Sequence, residues 1–162
     1  MKNIVLLRHA KSSWKDTSLD DFDRPLNKRG KRDSLKIAER FCGTGIKINL
    51  IYSSSSKRTT ETVNVFLQYL NYNTNVIFDD KLYLADKDQI LKVINSFEEK
   101  YLNVLIVGHN PGITNTANHL SDFKIENIPT TGIIGFSYEG YWKDLTENKC
   151  NFLFFDYPKN NN

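Results

Sequence analysis

The chain has 162 residues, 40% of them hydrophobic and 25% charged, the proportions of a folded globular body and not of a disordered one. Its net charge of +3 hides an asymmetry: residues 1–60 carry 14 Lys or Arg against 6 Asp or Glu, whereas the remainder carries 8 against 13. Anion binding is therefore expected in the front third. No apolar run reaches the roughly 18 to 20 residues that cross a bilayer, and Arg8 and His9 break the apolar start too early for a signal peptide, so the expectation is a cytoplasmic protein with no membrane partner.

In chain order, Asn3 to Leu7 is a continuous apolar run, the pattern of a strand buried on both faces. A helix is predicted from Asn27 to Phe41, with Leu35, Ala38, Phe41 and Cys42 on its apolar face. Leu50 to Tyr52 reads as a second buried strand, and Lys57 to Leu70 as a second helix through Thr59, Thr62, Val63, Phe66, Leu67 and Leu70. Asp86 caps a third helix with Ile90, Leu91, Ile94 and Phe97 inward. Val104 to Val107 is another buried strand. Asn110-Pro111 then reads as an N-cap followed by proline at the first helical position, starting a helix with Ile113, Ala117 and Leu120 inward. Ile133 to Tyr138 and Asn151 to Phe155 are further strands, separated by a loop or short helix around Trp142 to Leu145. This alternation predicts a three-layer α/β/α sandwich with a mostly parallel central sheet. It fills one domain over residues 1–158, with a tail at 159–162 that should fray. Cys42 and Cys150 have no metal-like spacing and read as reduced structural thiols. The cluster Lys28, Arg29, Lys31, Arg32 fits a solvated helix face, and no nucleic-acid partner is expected.

In an open α/β sheet, ligands bind beyond the carboxyl ends of the strands, which gives position more weight than composition. Arg8-His9 follows the first strand directly. A buried guanidinium must be paired or meet an anion, and an imidazole beside it suits covalent phosphoryl transfer. Ser53 to Ser56 with Lys57-Arg58 follows the second strand, aiming backbone N–H groups and a helix N-terminus at the same crevice; the hydroxyls of Ser54 to Ser56 are expected to serve as caps. Gly108-His109-Asn110-Pro111-Gly112 follows the next parallel strand, its glycines allowing backbone close to a ligand. His119, inside a helix, reads as a surface or packing residue.

Four blocks then resemble a known family: Leu7-Arg8-His9-Ala10-Lys11-Ser12-Ser13-Trp14; Arg24-Pro25-Leu26 with Gly30; Tyr52-Ser53-Ser54 with Arg58-Thr59 and Glu61-Thr62; and Val107 to Gly112. In this order and spacing they resemble the histidine phosphatase superfamily, specifically its short phosphohistidine phosphatases of the SixA type, from Ile4 to about Pro158. The resemblance implies a phosphoglycerate mutase-like fold, His9 as the phosphorylated nucleophile, and Arg8, Arg58 and His109 as ligands of the phosphoryl oxygens. It implies no metal or other cofactor. Ala10 stands where the family commonly has glycine, a change that matters only if the backbone needs a positive φ there.

Catalysis of this kind asks for positioning and charge stabilisation. A general acid for the leaving group is less evident: Asp21, in the loop Asp20 to Arg24, is the candidate, Asp20 and Asp23 read as solvated, and Arg24 either orients a carboxylate or meets substrate. Without a strong acid an alkoxide leaves poorly and an imidazole readily. That favours a phosphorylated protein, such as a histidine phosphotransfer domain or phosphocarrier, over a small phosphorylated molecule; the remaining alternative is a non-catalytic phosphate-binding module.

Overall fold

The computed structural model describes residues 1–161, so Asn162 of the expected tail lies outside the described residues. Among them the strands form one six-stranded sheet: β1 (Lys2–Arg8), β2 (Leu50–Ser54), β3 (Asn75–Asp79), β4 (Asn103–Gly108), β5 (Ile133–Tyr138) and β6 (Cys150–Asp156), in the order β3-β2-β4-β1-β5-β6. β3, β2, β4 and β1 run parallel; β5 is antiparallel to β1, and β6 to β5. The predicted sandwich with a mostly parallel sheet is the fold observed.

Two helical layers cover the sheet. On one face α1 (Lys28–Cys42) and α2 (Lys57–Tyr69) bury Ile37, Phe41, Val63 and Phe66 against Val5, Leu7, Ile51 and Val107. On the other, α3 (Lys87–Asn95) and α4 (Gly112–Leu120) bury Ile90, Ile94, Ile113 and Leu120 against Ile4, Leu6, Val104 and Ile106. Alternate residues of β1 thus serve opposite cores, which is why its stretch Ile4 to Leu7 is apolar throughout. Asn27 caps α1 through Gly30 N (2.8 Å), and Asp86 caps α3 through Gln89 N (2.8 Å).

Some local expectations change. Leu35 is 40% exposed and Cys42 is also exposed, because the inward face of α1 runs through Gly30, Asp33, Ser34, Ile37, Ala38 and Phe41. Small and polar side chains contribute to that stripe, so apolar spacing alone misplaces it. Pro111 precedes α4 instead of beginning it, across a cis Asn110–Pro111 bond. Asn110 still acts as a cap, its Oδ1 accepting from Thr114 N at 3.2 Å and Thr114 Oγ1 at 2.8 Å. β3 was not expected; it is an edge strand whose Ile77 and Phe78 are 42% and 43% exposed, so no buried pattern announces it. At the C-terminal end Lys36 Nζ donates to Pro158 O and Arg40 Nη2 to Asn160 O, tying this segment to α1.

α1 meets the loop after β1 at a glycine. A Cβ at Gly30 would stand 2.1 Å from the Lys11 carbonyl oxygen, two residues beyond His9. Gly30→Ala should therefore lower stability by about 1–3 kcal/mol through overpacking, read as a lower denaturation midpoint with an unchanged m-value. An unchanged midpoint would show that α1 and this loop are not in fixed contact.

Candidate active site

The ends of β1 and β4 set two imidazoles side by side. Arg8 pairs in register with Gly108, and His9 N donates to Gly108 O at 3.1 Å. His9 and His109 consequently emerge from adjacent parallel strands with ring centroids 5.2 Å apart. The turn that leads into β5 fastens the other side: Arg8 N donates to Gly132 O, and Thr131 N to the carbonyls of both Arg8 and His9. Ala10 is fully buried with no positive φ, so the residue standing in place of glycine imposes no backbone strain.

Arg58 enters from the first turn of α2 and is 3% exposed. Its Nε donates to His9 Nε2 (3.4 Å), and its Nη2 to His109 Nδ1 (3.3 Å). Thr62, one turn along, donates to Arg58 O (2.7 Å) and accepts from Ala10 N (3.1 Å), fastening α2 to the residue after His9. The remaining imidazole nitrogens are engaged as well: His9 Nδ1 with Ala10 O, and His109 Nε2 with Ser54 Oγ, both at 2.8 Å. A carbonyl can only accept, so His9 carries its proton on Nδ1 and turns the lone pair of Nε2 towards Arg58.

Both rings are neutral. Burial, with the charges of Arg58, Arg8 and Arg24 and against the bond to Ala10, lowers His9 to about 4. Burial, followed by the His9 and Arg58 charges, lowers His109 to about 3. Arg8 is pushed below its ordinary value by burial; it donates from Nη1 to Ile128 O at 3.0 Å, while its buried Nε meets no acceptor among the described residues. Nor does any carboxylate there ion-pair with Arg8. A guanidinium left so is a site for an anion.

Asp21 reaches this cluster as a charge partner. It sits on the one-turn 3₁₀ helix Asp21–Asp23 and accepts from Arg58 Nη2 (3.0 Å), from Arg24 Nε and Nη2 (3.1 and 3.0 Å), and from the Tyr83 hydroxyl. Desolvation raises its carboxyl, but the bonds from Tyr83 and Arg58, the Arg58 charge and the Arg24 bond prevail and leave it lowered to about 2. It is ionised at neutral pH, the wrong state for donating a proton, which argues against the expected general acid. Asp20 and Asp23 stay at the surface, as does much of His119. Arg24 is 6% exposed and orients Asp21, bonding also to Ser12 Oγ at 2.7 Å.

Tyr83 and Ser54 were not singled out as site residues. Tyr83 stands edge-on to His109 at 5.4 Å, and nothing in a chain separation of over twenty residues signals that. Ser54, expected as a cap, instead holds His109; Ser56 occupies the N-cap position of α2 without a capping side-chain bond.

Comparison with known proteins supplies the context. The sequence model of the histidine phosphatase superfamily (branch 1) matches residues 4–83. A chloroplastic protein of Arabidopsis thaliana, described as uncharacterized, is 35% identical over 152 residues, spanning 88% of this chain and 70% of that protein. The Nakamurella multipartitia protein provisionally named phosphohistidine phosphatase SixA has a similar structure, with a TM-score of 0.84 and 23% identity over 98% of this chain and 97% of that one. The protein histidine phosphatase SixA complexed with tungstate has a TM-score of 0.82 at 18% identity over 96% and 97% of the respective chains.

The lowered imidazoles bind fewer protons folded than unfolded, so their stabilising effect is complete above about 6.5 and is lost as the pH falls towards about 4 and 3. Unfolding near pH 5 should take up about two protons attributable to these histidines, measured from the pH dependence of the unfolding free energy and lost in a His9→Ala, His109→Ala double variant. Imidazole resonances titrating near 6.5 in the folded protein would contradict it.

Proposed function

The chain belongs to the histidine phosphatase superfamily, and on that premise we propose a metal-independent phosphatase of the SixA type that takes phosphoryl groups from phosphohistidine on other proteins through His9. The observation that carries this reading is the state of His9 Nε2: unprotonated, held by the Nδ1 contact with Ala10, and facing Arg58 in a crevice where Arg8 has no counterion among the described residues. The names of the structural neighbours support the same substrate class.

In the proposed reaction Nε2 attacks phosphorus while the bond from phosphorus to the substrate imidazole breaks. The departing imidazole takes its proton from solvent. Arg8 and Arg58 neutralise charge on the equatorial oxygens, where a loose transition state concentrates it. His109 needs a donor on Nδ1 to join them. The Ser54 hydroxyl either accepts or donates, so it allows that tautomer once Arg58 turns to the anion. Water then attacks the phosphorus of the His9 adduct; the bond to Nε2 breaks, phosphate leaves, and the neutral imidazole returns.

The leaving group selects the substrate. Asp21 is ionised, and the Tyr83 hydroxyl already commits its proton to Asp21, so neither is poised to protonate a departing alkoxide. A phosphohistidine takes a proton from solvent on its other ring nitrogen, so a neutral imidazole leaves the phosphoramidate without an acid of the enzyme. A histidine phosphotransfer domain phosphorylated on histidine should therefore yield inorganic phosphate and leave acid-labile phosphate on the wild-type enzyme, unaffected by chelator. His9→Ala should carry no label and lose at least about 10³-fold in turnover. Asp21→Asn should cost less than about tenfold on this substrate, whereas loss of a true general acid costs about 10² to 10⁴. Faster hydrolysis of sugar phosphates than of the phosphohistidine domain would overturn the reading.

A further inference from the structure

The segments Lys11 to Trp14 and Arg24 to Leu26 supply no group to the phosphoryl chemistry proposed above, yet they are closely built together. Ser12 forms a bridge with Leu26, Ser13 N donates to Pro25 O at 2.8 Å, and Asn27 N to Lys11 O at 3.0 Å. Arg24 is locked between them by Ser12, the Ser13 carbonyl and Asp21. Its guanidinium carbon lies 3.5 Å from the centre of the Trp14 ring. One face of the indole is thus held by a buried cation, while the side chain as a whole is left 68% exposed. A large aromatic held in one orientation yet left exposed is suited to anchor a protein contact, where tryptophan and arginine are the residues that dominate.

Charge indicates what covers it. Residues 11–32 carry seven Lys or Arg against four Asp. Arg24 is matched by Asp21, Arg29 and Arg32 share Asp33, and Asp16 is turned onto Ser18, while the exposed Asp20 and Asp23 offset part of the positive excess. Lys28 and Lys31 are exposed and form no ion pair among the described residues. Both lie on the first turn of α1, the turn that Gly30 seats against Lys11, three residues before Trp14 in the chain.

We propose that Trp14 stacked on Arg24, together with Lys28 and Lys31 of the adjoining first turn of α1, is the docking surface for the phosphohistidine protein, whose own surface there is acidic and sets an apolar side chain over the indole. This rests on the phosphohistidine reading above. Opposite charge accelerates encounter and fixes orientation, and the indole supplies the buried anchor. A free phosphorylated amino acid reaches His9 without touching either.

The test compares two substrates: a histidine phosphotransfer domain phosphorylated on histidine, and free phosphohistidine. Wild type should prefer the domain by at least about tenfold in kcat/KM, a preference that shrinks with added salt. Trp14→Ala and the pair Lys28→Glu, Lys31→Glu should each raise KM for the domain by about tenfold with kcat within about twofold, and leave free phosphohistidine turnover unchanged. Equal losses on both substrates, or no loss on either, would overturn the docking surface, as would a change in the enzyme's own sedimentation with Trp14→Ala, which would assign the face to a second copy. If wild type released phosphate from neither substrate, the proposed activity itself would fall, and the docking surface with it.

Discussion

The Arg58 guanidinium has to stay charged and aimed in a place with almost no water, and the rest of the site follows from how that is done. Its donors are distributed among His9, His109, the Asp21 carbonyl and the Asp21 carboxylate. Each bond fixes something beyond Arg58. The two bonds to imidazole nitrogens hold the lone pairs of His9 Nε2 and His109 Nδ1 towards this guanidinium. The two to Asp21 draw the loop after β1 across to α2, which brings Arg24, and through it Trp14, to the rim. Thr62 completes the arrangement by tying the Arg58 carbonyl to the backbone after His9. Removing this guanidinium would therefore release a loop and two imidazoles together.

The two arginines nearest His9, Arg58 buried and Arg8 partly so, are treated differently, and the difference has chemical content. Arg58 is neutralised by an internal carboxylate that is itself 42% exposed at the side chain, so an incoming dianion can compete for the same donors while Asp21 turns to solvent. Among the described residues Arg8 has no such partner and meets a backbone carbonyl alone. The uncompensated charge lies next to His9 and helps keep that ring unprotonated. Without anion the crevice favours neutral imidazole, and with anion the balance moves towards imidazolium. A nucleophile wants the first condition and a phosphoryl oxygen ligand the second, so one electrostatic arrangement serves both stages of the proposed cycle.

Much of this was legible in the sequence because strands buried on both faces announce themselves. Ile4 to Leu7 and Val104 to Val107 can only be central strands, and Arg8-His9 and His109 lie directly beyond them. Arg58 was legible for a related reason, standing at a helix start after another such strand. The illegible parts are those whose signal is tertiary. β3 pairs along the edge of the sheet with exposed side chains, so nothing periodic marks it. Tyr83 matters only because Asp21 comes to it from over sixty residues away. The inward stripe of α1 passes through Gly30, Asp33 and Ser34, which earn their burial by close approach and ion pairing and not by hydrophobicity. Asp21 was legible as a neighbour of the site but not in its role, since its ionisation is set by Tyr83, Arg58 and Arg24, none of which its own sequence context identifies as partners.

A site that binds the phosphoryl group closely and offers no poised proton donor discriminates by bond type. On the proposed reading it would separate phosphoramidates from phosphoesters through the leaving group, whatever the rest of the molecule looks like. The same logic leaves it blind between one phosphohistidine and another, because the imidazole and phosphoryl group are identical in every such protein. Selection among proteins then falls on surfaces outside the crevice. The exposed indole held over Arg24 is coupled through Asp21 to the guanidinium that receives the phosphoryl oxygens, so in the proposed scheme the contact that chooses the partner and the contact that takes its phosphate share one short chain of side chains.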